Sequence, residues 1–340
     1  MRLDYSWVTE MKGPEKVLCT GAAGFIGNHL VHALRQRNFQ LTCLVHPAEE
    51  AGQLKDLDAT IIRADLEDKR SLLNAWSDYT YVYHLAALKT SPFPEKFYRV
   101  NLLGTKNLVD VILESGVLPK RFLFTSSIAA VGPSPKGSSL NEESPCQPIS
   151  HYGKSKLLAE QLLRSVGDRL PVTVVRLPLV YGPQSLAGLY AFFRSINKHY
   201  CVSFGRVEAC LGYVEDVVRG IILAAESPAT IGRTYFLGED KVYSSAEIIR
   251  TIENALGRRA VKMKVPYPLV YCLALVLESY AKITKTSPVA TREMMRECMK
   301  HRYWQATMKK ARSDFGFEAE VGLARGTRMT AAWYRREGLI

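Results

Sequence analysis

Two side chains near the middle of the chain could together transfer a proton. Tyr152 and Lys156 are four residues apart, so on a helix they lie on the same face. A free phenol has a pKa of about 10 and transfers protons poorly at neutral pH. A nearby ammonium favours the phenolate and brings the phenol closer to the range in which acid–base catalysis is efficient. About 25 residues upstream, the run 125–127 (Thr-Ser-Ser) adds hydroxyls that could hold a reacting oxygen.

A glycine-rich turn near the start of the chain predicts a dinucleotide site. The run 16–20 is apolar and typical of a strand, and residues 28–34 have the apolar spacing of a helix. Between them, Gly21, Gly24 and Gly27 allow a tight turn and a close approach of the backbone to a pyrophosphate. The helix N-terminus would offer N–H groups and the positive end of its dipole to the phosphates. A strand, a glycine turn and a helix in this order indicate dinucleotide binding.

The order of the predicted elements gives the fold class. Further strands are predicted over residues 40–45, 59–63, 81–85, 121–125 and 172–176, and helices over residues 101–114 and 152–166. Strands that alternate with helices predict a parallel sheet covered on both faces. We therefore expect an α/β protein with a Rossmann-type doubly wound parallel sheet.

Eight motifs follow one another along the chain. They are Thr20-Gly-Ala-Ala-Gly-Phe-Ile-Gly27, Asp65-Leu66, His84-Leu-Ala-Ala87, Asn101-Leu-Leu-Gly-Thr105, Thr125-Ser-Ser127, Tyr152-x-x-x-Lys156, Arg176-Leu-Pro-Leu-Val-Tyr-Gly-Pro183 and Tyr213-Val-Glu-Asp216. In this order they resemble the extended short-chain dehydrogenases/reductases, the NAD-dependent epimerase/dehydratase superfamily. The resemblance covers residues 16–226. The C-terminal third is more loosely similar to dihydroflavonol reductases and 3β-hydroxysteroid dehydrogenase-like enzymes.

The resemblance implies roles for individual residues. Tyr152 would donate or accept a proton at a substrate hydroxyl or carbonyl, and Lys156 would lower its pKa and bond the nicotinamide ribose. Ser127 would hydrogen-bond the reacting oxygen, with Ser126 as the alternative. Asn101 matches an asparagine that supports the active site in related enzymes. The implied cofactor-binding residues are Gly21, Gly24, Phe25, Ile26, Gly27, His46, Asp65, Leu66, Leu85, Ala86, Ala87, Thr125, Tyr152, Lys156, Pro178, Leu179 and Val180.

The choice between NADP(H) and NAD(H) depends on the end of the second strand. NAD-binding folds place an acidic residue there, where it bonds the ribose hydroxyls. In this chain the position is His46, with no arginine beside it, and Glu49 and Glu50 come later. Without a carboxylate at this position, nothing there repels a 2′-phosphate. We therefore favour NADP(H) and keep NAD(H) open.

Two departures from the family's motifs bear on the substrate. The nucleotide-sugar 4,6-dehydratases have an Asp-Glu pair after the catalytic threonine, whereas this chain has Ser126 and Ser127. Many nucleotide-sugar epimerases have a diphosphate-binding arginine about four residues before the Tyr-Val-x-Asp motif. The stretch 208–212 has none, and Arg206 would need a shifted loop to serve.

These departures favour an oxidoreductase that interconverts a secondary alcohol and a ketone on a small, fairly apolar molecule. Two alternatives stay open. One is a nucleotide-sugar 4-epimerase that retains NAD. The other, from a different class, is a non-catalytic cofactor-binding protein.

The resemblance also predicts how the chain is divided. We expect an N-terminal tail over residues 1–14 and an NAD(P)-binding domain over 15–178, with returns near 213–237. A smaller, discontinuous substrate lobe is expected over 179–212 and 238–330, followed by a C-terminal tail over 331–340. Homodimers are common in this family, so a homodimer is a further expectation.

Composition is typical of a soluble enzyme. The 340 residues are 47% hydrophobic, enough for a sizeable core. The seven cysteines have no close pairing and predict reduced thiols in the cytoplasm, and no histidine or cysteine pattern predicts a metal. The net charge is +12, and basic residues cluster late at Arg292, Arg296, Lys300, Arg302, Lys309, Lys310 and Arg312. We interpret that cluster as a solvated face and expect no nucleic-acid partner.

One apolar run, residues 265–277, is too short for a membrane span, which needs about 20 residues. It predicts a helix of the substrate lobe that starts near Pro268. An apolar wall of the substrate pocket, or a surface in peripheral contact with a membrane, is the alternative.

Overall fold

In a computed structural model, the structure of the chain is described for residues 15–203, 206–284, 286, 291–293, 295 and 300–340. The predicted tail over 1–14, together with Arg296 and Cys298, lies outside these residues. The other six cysteines are free thiols.

Seven parallel strands form the main sheet. They are β1 (Lys16–Thr20), β2 (Gln40–Val45), β3 (Thr60–Arg63), β4 (Tyr81–His84), β5 (Arg121–Ser127), β6 (Val172–Leu177) and β10 (Thr234–Phe236). Their order across the sheet is β10-β6-β5-β4-β1-β2-β3, and every neighbouring pair is parallel. The chain first builds outward from β1 to β3 and then from β4 to β6. The sheet therefore reverses its direction of winding between β1 and β4.

Helices cover both faces of this sheet. They are α1 (Phe25–Gln36), α2 (Lys69–Ala75), α3 (Pro94–Phe97), α4 (Gly104–Ser115), α5 (His151–Ser165) and α7 (Val214–Glu226). One apolar core lies between the sheet and the pair α1 and α7, and a second lies under α2, α4 and α5. The predicted doubly wound α/β fold is confirmed. A π-helical segment, Tyr98–Leu103, precedes α4, where the sequence predicts a single helix.

The rest of the chain forms a smaller lobe. Its strands are β7 (Leu179–Tyr181), β8 (Tyr200–Ser203), β9 (Glu208–Tyr213), β11 (Val242–Ser244), β12 (Val261–Lys264) and β13 (Tyr303–Trp304). Its helices are α6 (Tyr190–Asn197), α8 (Ser245–Leu256), α9 (Tyr267–Thr284), α10 (Lys309–Phe315) and α11 (Leu323–Arg336). β9 pairs with β7, β11 and β13, and β12 pairs with β8.

The C-terminal residues differ from the predicted tail. Residues 331–336 continue α11, and Ala331 and Tyr334 are buried in the core of the smaller lobe. Their side chains pack with α6 and α8, so the helix continues to residue 336, whereas the sequence predicts a tail from residue 331. The apolar run near Pro268 forms α9, as expected. Within the described ranges, no helix combines the length and apolar character needed to cross a membrane.

Candidate active site

A cavity of about 630 Å³ opens at the carboxyl ends of the central strands. Ligands bind in open α/β sheets at the point where the winding reverses, which here lies between β1 and β4. All seventeen residues predicted to bind the cofactor line this cavity. Ser127, Tyr152 and Lys156 line it as well, whereas Asn101 is absent from its wall. The site residues found by motif thus meet in one place, although their roles stay predictions.

The glycine loop is held against the end of β4. Gly21 has φ +69°, and a Cβ on it would lie 2.6 Å from the backbone nitrogen of Ala86. A Cβ on Gly27 would lie 2.1 Å from the carbonyl oxygen of Gly21. Helix α1 starts at Phe25 with no side-chain cap and no acidic residue in its first turn. Its first-turn N–H groups and dipole are therefore suited to an anion at the cavity.

A buried histidine joins the ends of β1 and β4. His84 Nδ1 is 2.7 Å from Thr20 Oγ1, and His84 Nε2 is 2.9 Å from Thr105 Oγ1. The Ala86 amide donates to Thr20 Oγ1 at 3.2 Å. Burial lowers the pKa of His84 to about 3, so the ring is neutral at physiological pH. This network fixes the glycine loop relative to the wall formed by residues 85–87.

Asn101 holds the residue that follows this wall, Leu88, through two hydrogen bonds. Its Oδ1 accepts from the Leu88 amide at 2.7 Å, and its Nδ2 donates to the Leu88 carbonyl at 3.0 Å. Nδ2 also lies 2.9 Å from Ser155 Oγ on α5. The buried amide therefore connects the segment after β4 to the helix that carries Tyr152. Asn101 acts in the structure as a positioning residue.

Close packing places the start of α5 against the end of β5. Ser150 caps the helix by accepting from the Gly153 amide at 3.1 Å. A Cβ on Gly153 would lie 2.2 Å from the carbonyl oxygen of Ala129, so the turn after β5 touches the helix backbone. Tyr152 and Ser127 are thereby brought to the same cavity. The Tyr152 ring also packs edge-on near Phe97, with the ring centroids 6.5 Å apart.

Lys156 is a buried cation. Its side chain is 2% exposed, its Nζ donates to the Thr125 carbonyl at 2.7 Å, and the ammonium lies 4.4 Å from the centre of the Phe124 ring. Burial and, to a lesser extent, the charge of Lys89 lower its pKa to about 7, while the Glu160 carboxylate opposes the shift. The Lys156 ammonium therefore titrates close to neutral pH, one helical turn from Tyr152.

The two serines at the end of β5 have different partners. Ser126 is buried, and its hydroxyl donates to Glu160 Oε1 at 2.5 Å. Ser127 Oγ accepts from the Ala129 amide at 3.2 Å, which leaves its O–H proton for another acceptor. This arrangement favours Ser127 over Ser126 as the residue that meets a reacting oxygen.

Glu160 also forms a fully buried ion pair. Arg176 reaches the carboxylate with Nε at 3.1 Å and Nη2 at 2.7 Å, and both side chains are buried. The pair joins α5 to β6 behind the cavity. The Thr125-Ser-Ser127 strand end, Lys156 and the ion pair thus form one connected group.

Two functional candidates lie outside the predicted set. Lys89 lines the cavity five residues after His84, and its side chain is exposed to the open cavity. Desolvation by the surrounding protein nevertheless lowers its pKa. Its signal in the sequence is that it is the first cation after β4. Arg63 ends β3 beside Val45, and its Nη1 donates to the carbonyls of His46, Pro47 and Glu49. Pairing β3 with β2 in parallel register would have revealed it.

Three ionisable side chains line the part of the cavity next to the end of β2. His46, Glu49 and Asp65 all line it, and His46 Nε2 is 3.6 Å from Asp65 Oδ2. The residues fit a dinucleotide. The uncapped N–H groups of α1 suit its phosphates, and the polar side chains at the end of β2 suit a ribose. The Thr125 hydroxyl is a further polar group at the end of β5. Thr125 Oγ1 is buried and has no hydrogen-bond partner in the described structure. Among the described residues, no cluster of three potential metal ligands occurs.

Comparison with known proteins gives the family. The family model for the NAD dependent epimerase/dehydratase family matches residues 17–238. A ceramide reductase of Caulobacter vibrioides is 26% identical, with 95% of this chain and 96% of the relative covered. An N-acetyl-alpha-D-glucosaminyl-diphospho-ditrans,octacis-undecaprenol 4-epimerase of Escherichia coli is 27% identical, with 79% and 81% covered.

Solved structures agree with the fold. The UDP-glucose 4-epimerase of Thermus thermophilus, in complex with NAD, aligns with a TM-score of 0.77 at 24% identity over 94% of this chain and 99% of that one. The chain belongs to the NAD-dependent epimerase/dehydratase family, within the extended short-chain dehydrogenases/reductases. It is an enzyme of that superfamily. The family's reductases and epimerases both occur among its relatives, so the comparisons do not fix the reaction.

We predict that Glu160→Gln strongly destabilises the protein. Loss of the carboxylate charge leaves Arg176 and Lys156 without their buried counter-charge, and removing one partner of a buried pair costs about 3–5 kcal/mol. The matched control is Glu114→Gln, which breaks the exposed Lys69–Glu114 pair and should cost under about 1 kcal/mol. Chemical denaturation of the three proteins measures both costs. Equal stabilities of the two variants would contradict the structural role given to Glu160.

Proposed function

We propose that the protein is an NAD(P)-dependent oxidoreductase that interconverts a secondary alcohol and a ketone on a small, fairly apolar substrate. The observation that carries the proposal is the meeting of Ser127, Tyr152 and Lys156 in the wall of one cavity with the glycine loop. Two of the environments support these roles. Ser127 Oγ accepts from the Ala129 amide and so keeps its proton to donate, and the Lys156 ammonium is buried one helical turn from Tyr152.

The residues would divide the chemistry as follows. A bound nicotinamide dinucleotide would supply or accept the hydride. In the reductive direction, the Tyr152 hydroxyl gives its proton to the carbonyl oxygen of the substrate while Ser127 donates a hydrogen bond to that oxygen. The Lys156 ammonium favours the negative charge left on the tyrosine oxygen. Oxidation of an alcohol uses the same groups in reverse.

Apolar side chains support an apolar substrate. Away from the cofactor end marked by His46 and Asp65, the aliphatic residues of the cavity wall outside the cofactor set are Leu88, Val100, Ile128, Leu177, Leu186 and Ala187. Leu186, at 62% exposed, and Leu179, at 43%, present apolar surface that substrate could cover. Arg206 pairs with Glu208 at 2.9 Å, is 77% exposed, and is absent from the cavity wall. The ceramide reductase among the relatives supports a reductase as well.

A nucleotide-sugar 4-epimerase with retained NAD is the second candidate. It is favoured by Lys89, a second cation on the cavity wall that could meet a substrate phosphate. The relative from Escherichia coli and the solved structure from Thermus thermophilus both bear epimerase names. The two candidates differ in whether the cofactor is consumed.

We expect one reduced cofactor to be oxidised for each ketone converted. The experiment follows the nicotinamide absorbance with a panel of apolar ketones and of nucleotide sugars, and measures product in the same samples. Tyr152→Phe should lower turnover by about 10²–10⁴-fold because it removes the proton donor, while cofactor affinity changes little. Tyr79→Phe, which removes a buried tyrosine hydroxyl that donates to the Ala75 carbonyl at 3.1 Å and does not line the cavity, is the matched control.

Two results would overturn this proposal. Conversion of a nucleotide sugar with no net change in absorbance would establish the epimerase. Turnover of a ketone by Tyr152→Phe at the rate of the Tyr79→Phe control would exclude the proposed proton transfer.

We also propose that NADP(H) is preferred over NAD(H). Three backbone carbonyls hold the Arg63 guanidinium against the turn after β2, with its closest contact to the Glu49 carbonyl at 2.8 Å. A guanidinium beside the end of β2 supports binding of a 2′-phosphate, and His46 supplies no carboxylate there. NAD(H) would instead be favoured by Glu49, whose side chain lines the same end of the cavity.

Arg63→Leu should therefore weaken NADP(H) binding and spare NAD(H). Loss of a charge-assisted hydrogen bond costs about 1.5–3 kcal/mol, which corresponds to roughly a 10- to 150-fold rise in Kd for NADPH. Titration calorimetry with NADPH and NADH measures both constants, and Arg70→Leu, an exposed arginine on α2, is the control. Wild-type protein that binds NADH tighter than NADPH, or an unchanged Kd for NADPH in the variant, would contradict the preference.

A further inference from the structure

Helix α9 carries an apolar stripe on its surface. Leu269, Leu273, Val276, Tyr280 and Ile283 are all exposed, and they are separated by steps of four, three, four and three residues. Side chains with that spacing lie along one face of a helix. Leu275 beside the stripe is exposed too. Scattered exposed leucines are ordinary on proteins, but a continuous apolar helix face marks an interaction surface.

The inner side of α9 packs on a small cluster and is tied to the catalytic helix. Val270 and Ala274 pack with Met295 and Val265. Glu278 accepts three hydrogen bonds from Arg292, and the next residue, Glu293, accepts from the His151 amide at 2.7 Å. His151 is the first residue of α5 and precedes Tyr152. The apolar stripe is therefore carried by a helix that is anchored to the mouth of the active site.

Positive charge accompanies the stripe. Residues 258–286 contain six basic residues and one acidic residue, Glu278. That single carboxylate is buried and occupied by Arg292. Arg258, Arg259, Lys262 and Lys282 are exposed; Arg259 also pairs with Glu253 at 3.4 Å and Lys282 with Glu278 at 3.5 Å. The segment that presents the apolar face is thus basic at both of its ends.

Two residues of the chain's other basic cluster are held in ion pairs. Lys310 lies 3.7 Å from Glu143, and Arg312 pairs with Asp240 and Glu318 at 2.8 Å each. These contacts agree with the interpretation of that cluster as a solvated face. Lys300, Arg302 and Lys309 of that cluster are exposed, but it is at α9 that basic residues adjoin an exposed apolar helix face along the chain.

We propose that the exposed face of α9 binds the surface of an anionic phospholipid bilayer. An exposed apolar helix face flanked along the chain by basic residues is typical of helices that lie in the plane of a membrane interface. The leucines would enter the boundary between headgroups and acyl chains while the basic residues meet anionic headgroups. A second copy of the chain is disfavoured as the occupant, because it would bring the same basic residues to the contact.

This proposal goes beyond the chemistry proposed above and does not rest on it. Membrane binding would be seen even if the enzyme were an epimerase. It would place the mouth of the cavity close to a source of apolar molecules, since α9 is joined through Glu293 to the start of α5.

The test is sedimentation of the full-length protein with vesicles. We expect binding to vesicles of phosphatidylcholine mixed with phosphatidylglycerol and much weaker binding to phosphatidylcholine alone. The variant Leu273→Ser/Val276→Ser should bind the mixed vesicles at least about tenfold more weakly, because it removes two apolar side chains from the interface. Lys262→Glu should weaken binding several-fold, since each lysine near an anionic surface contributes about 1 kcal/mol.

Matched controls change the same residue types elsewhere. Leu73→Ser/Leu118→Ser alters two leucines that are each 49% exposed, one on α2 and one after α4. Lys55→Glu reverses an exposed charge between β2 and β3. Both should bind like the wild type. Retained binding of NAD(P)H by every variant shows that the fold is intact.

Three outcomes would overturn the proposal. They are wild-type protein that stays in solution with the mixed vesicles, equal binding to neutral vesicles, and a Leu273→Ser/Val276→Ser variant that binds like its control. A wild-type dimer that becomes a monomer in that variant by analytical ultracentrifugation, without loss of vesicle binding, would assign the face to a second copy instead.

Discussion

The burial of the Lys156 ammonium is the constraint to which the rest of the active site is fitted. A charge removed from water is costly unless hydrogen bonds and counter-charges replace the solvent. Here the Thr125 carbonyl and the Phe124 ring contact the ammonium, and the Glu160 carboxylate supplies an opposing charge. Glu160 in turn requires a partner of its own, which is Arg176. Lys156 is therefore linked through Glu160 and Arg176 to the packed core between α5 and β6.

A second buried network fixes the cofactor side of the site. His84, held neutral by burial, bonds Thr20 at the end of β1 and Thr105 on α4. Asn101 extends this support to α5 through Ser155. The His84 network lies at the switch point between β1 and β4, and the Lys156 network lies next to it, at β5 and β6. Groups held in this way keep their geometry before substrate arrives, which is what a pre-organised site requires.

Much of the fold could be predicted from the sequence because its signals are local. The glycine turn, the alternation of strands with helices, and the spacing of Tyr152 and Lys156 each depend on a short window of residues. The Glu160–Arg176 pair could not be predicted, because it depends on how α5 packs against β6 and not on spacing. Arg63 was missed for a similar reason: it meets the turn after β2 only through the register of β3. Residues 331–336 belong to α11 and not to the tail predicted over 331–340, because the burial of Tyr334 is a tertiary effect that no local pattern shows.

The central claim is that hydride moves directly between a nicotinamide ring and a substrate carbon beside Tyr152. Its most direct test uses cofactor deuterated at the transferring position of the nicotinamide and mass spectrometry of the alcohol formed from a reduced ketone. The account predicts one deuterium on the carbinol carbon of each product molecule. Product that carries no deuterium, formed at the same rate, would contradict it.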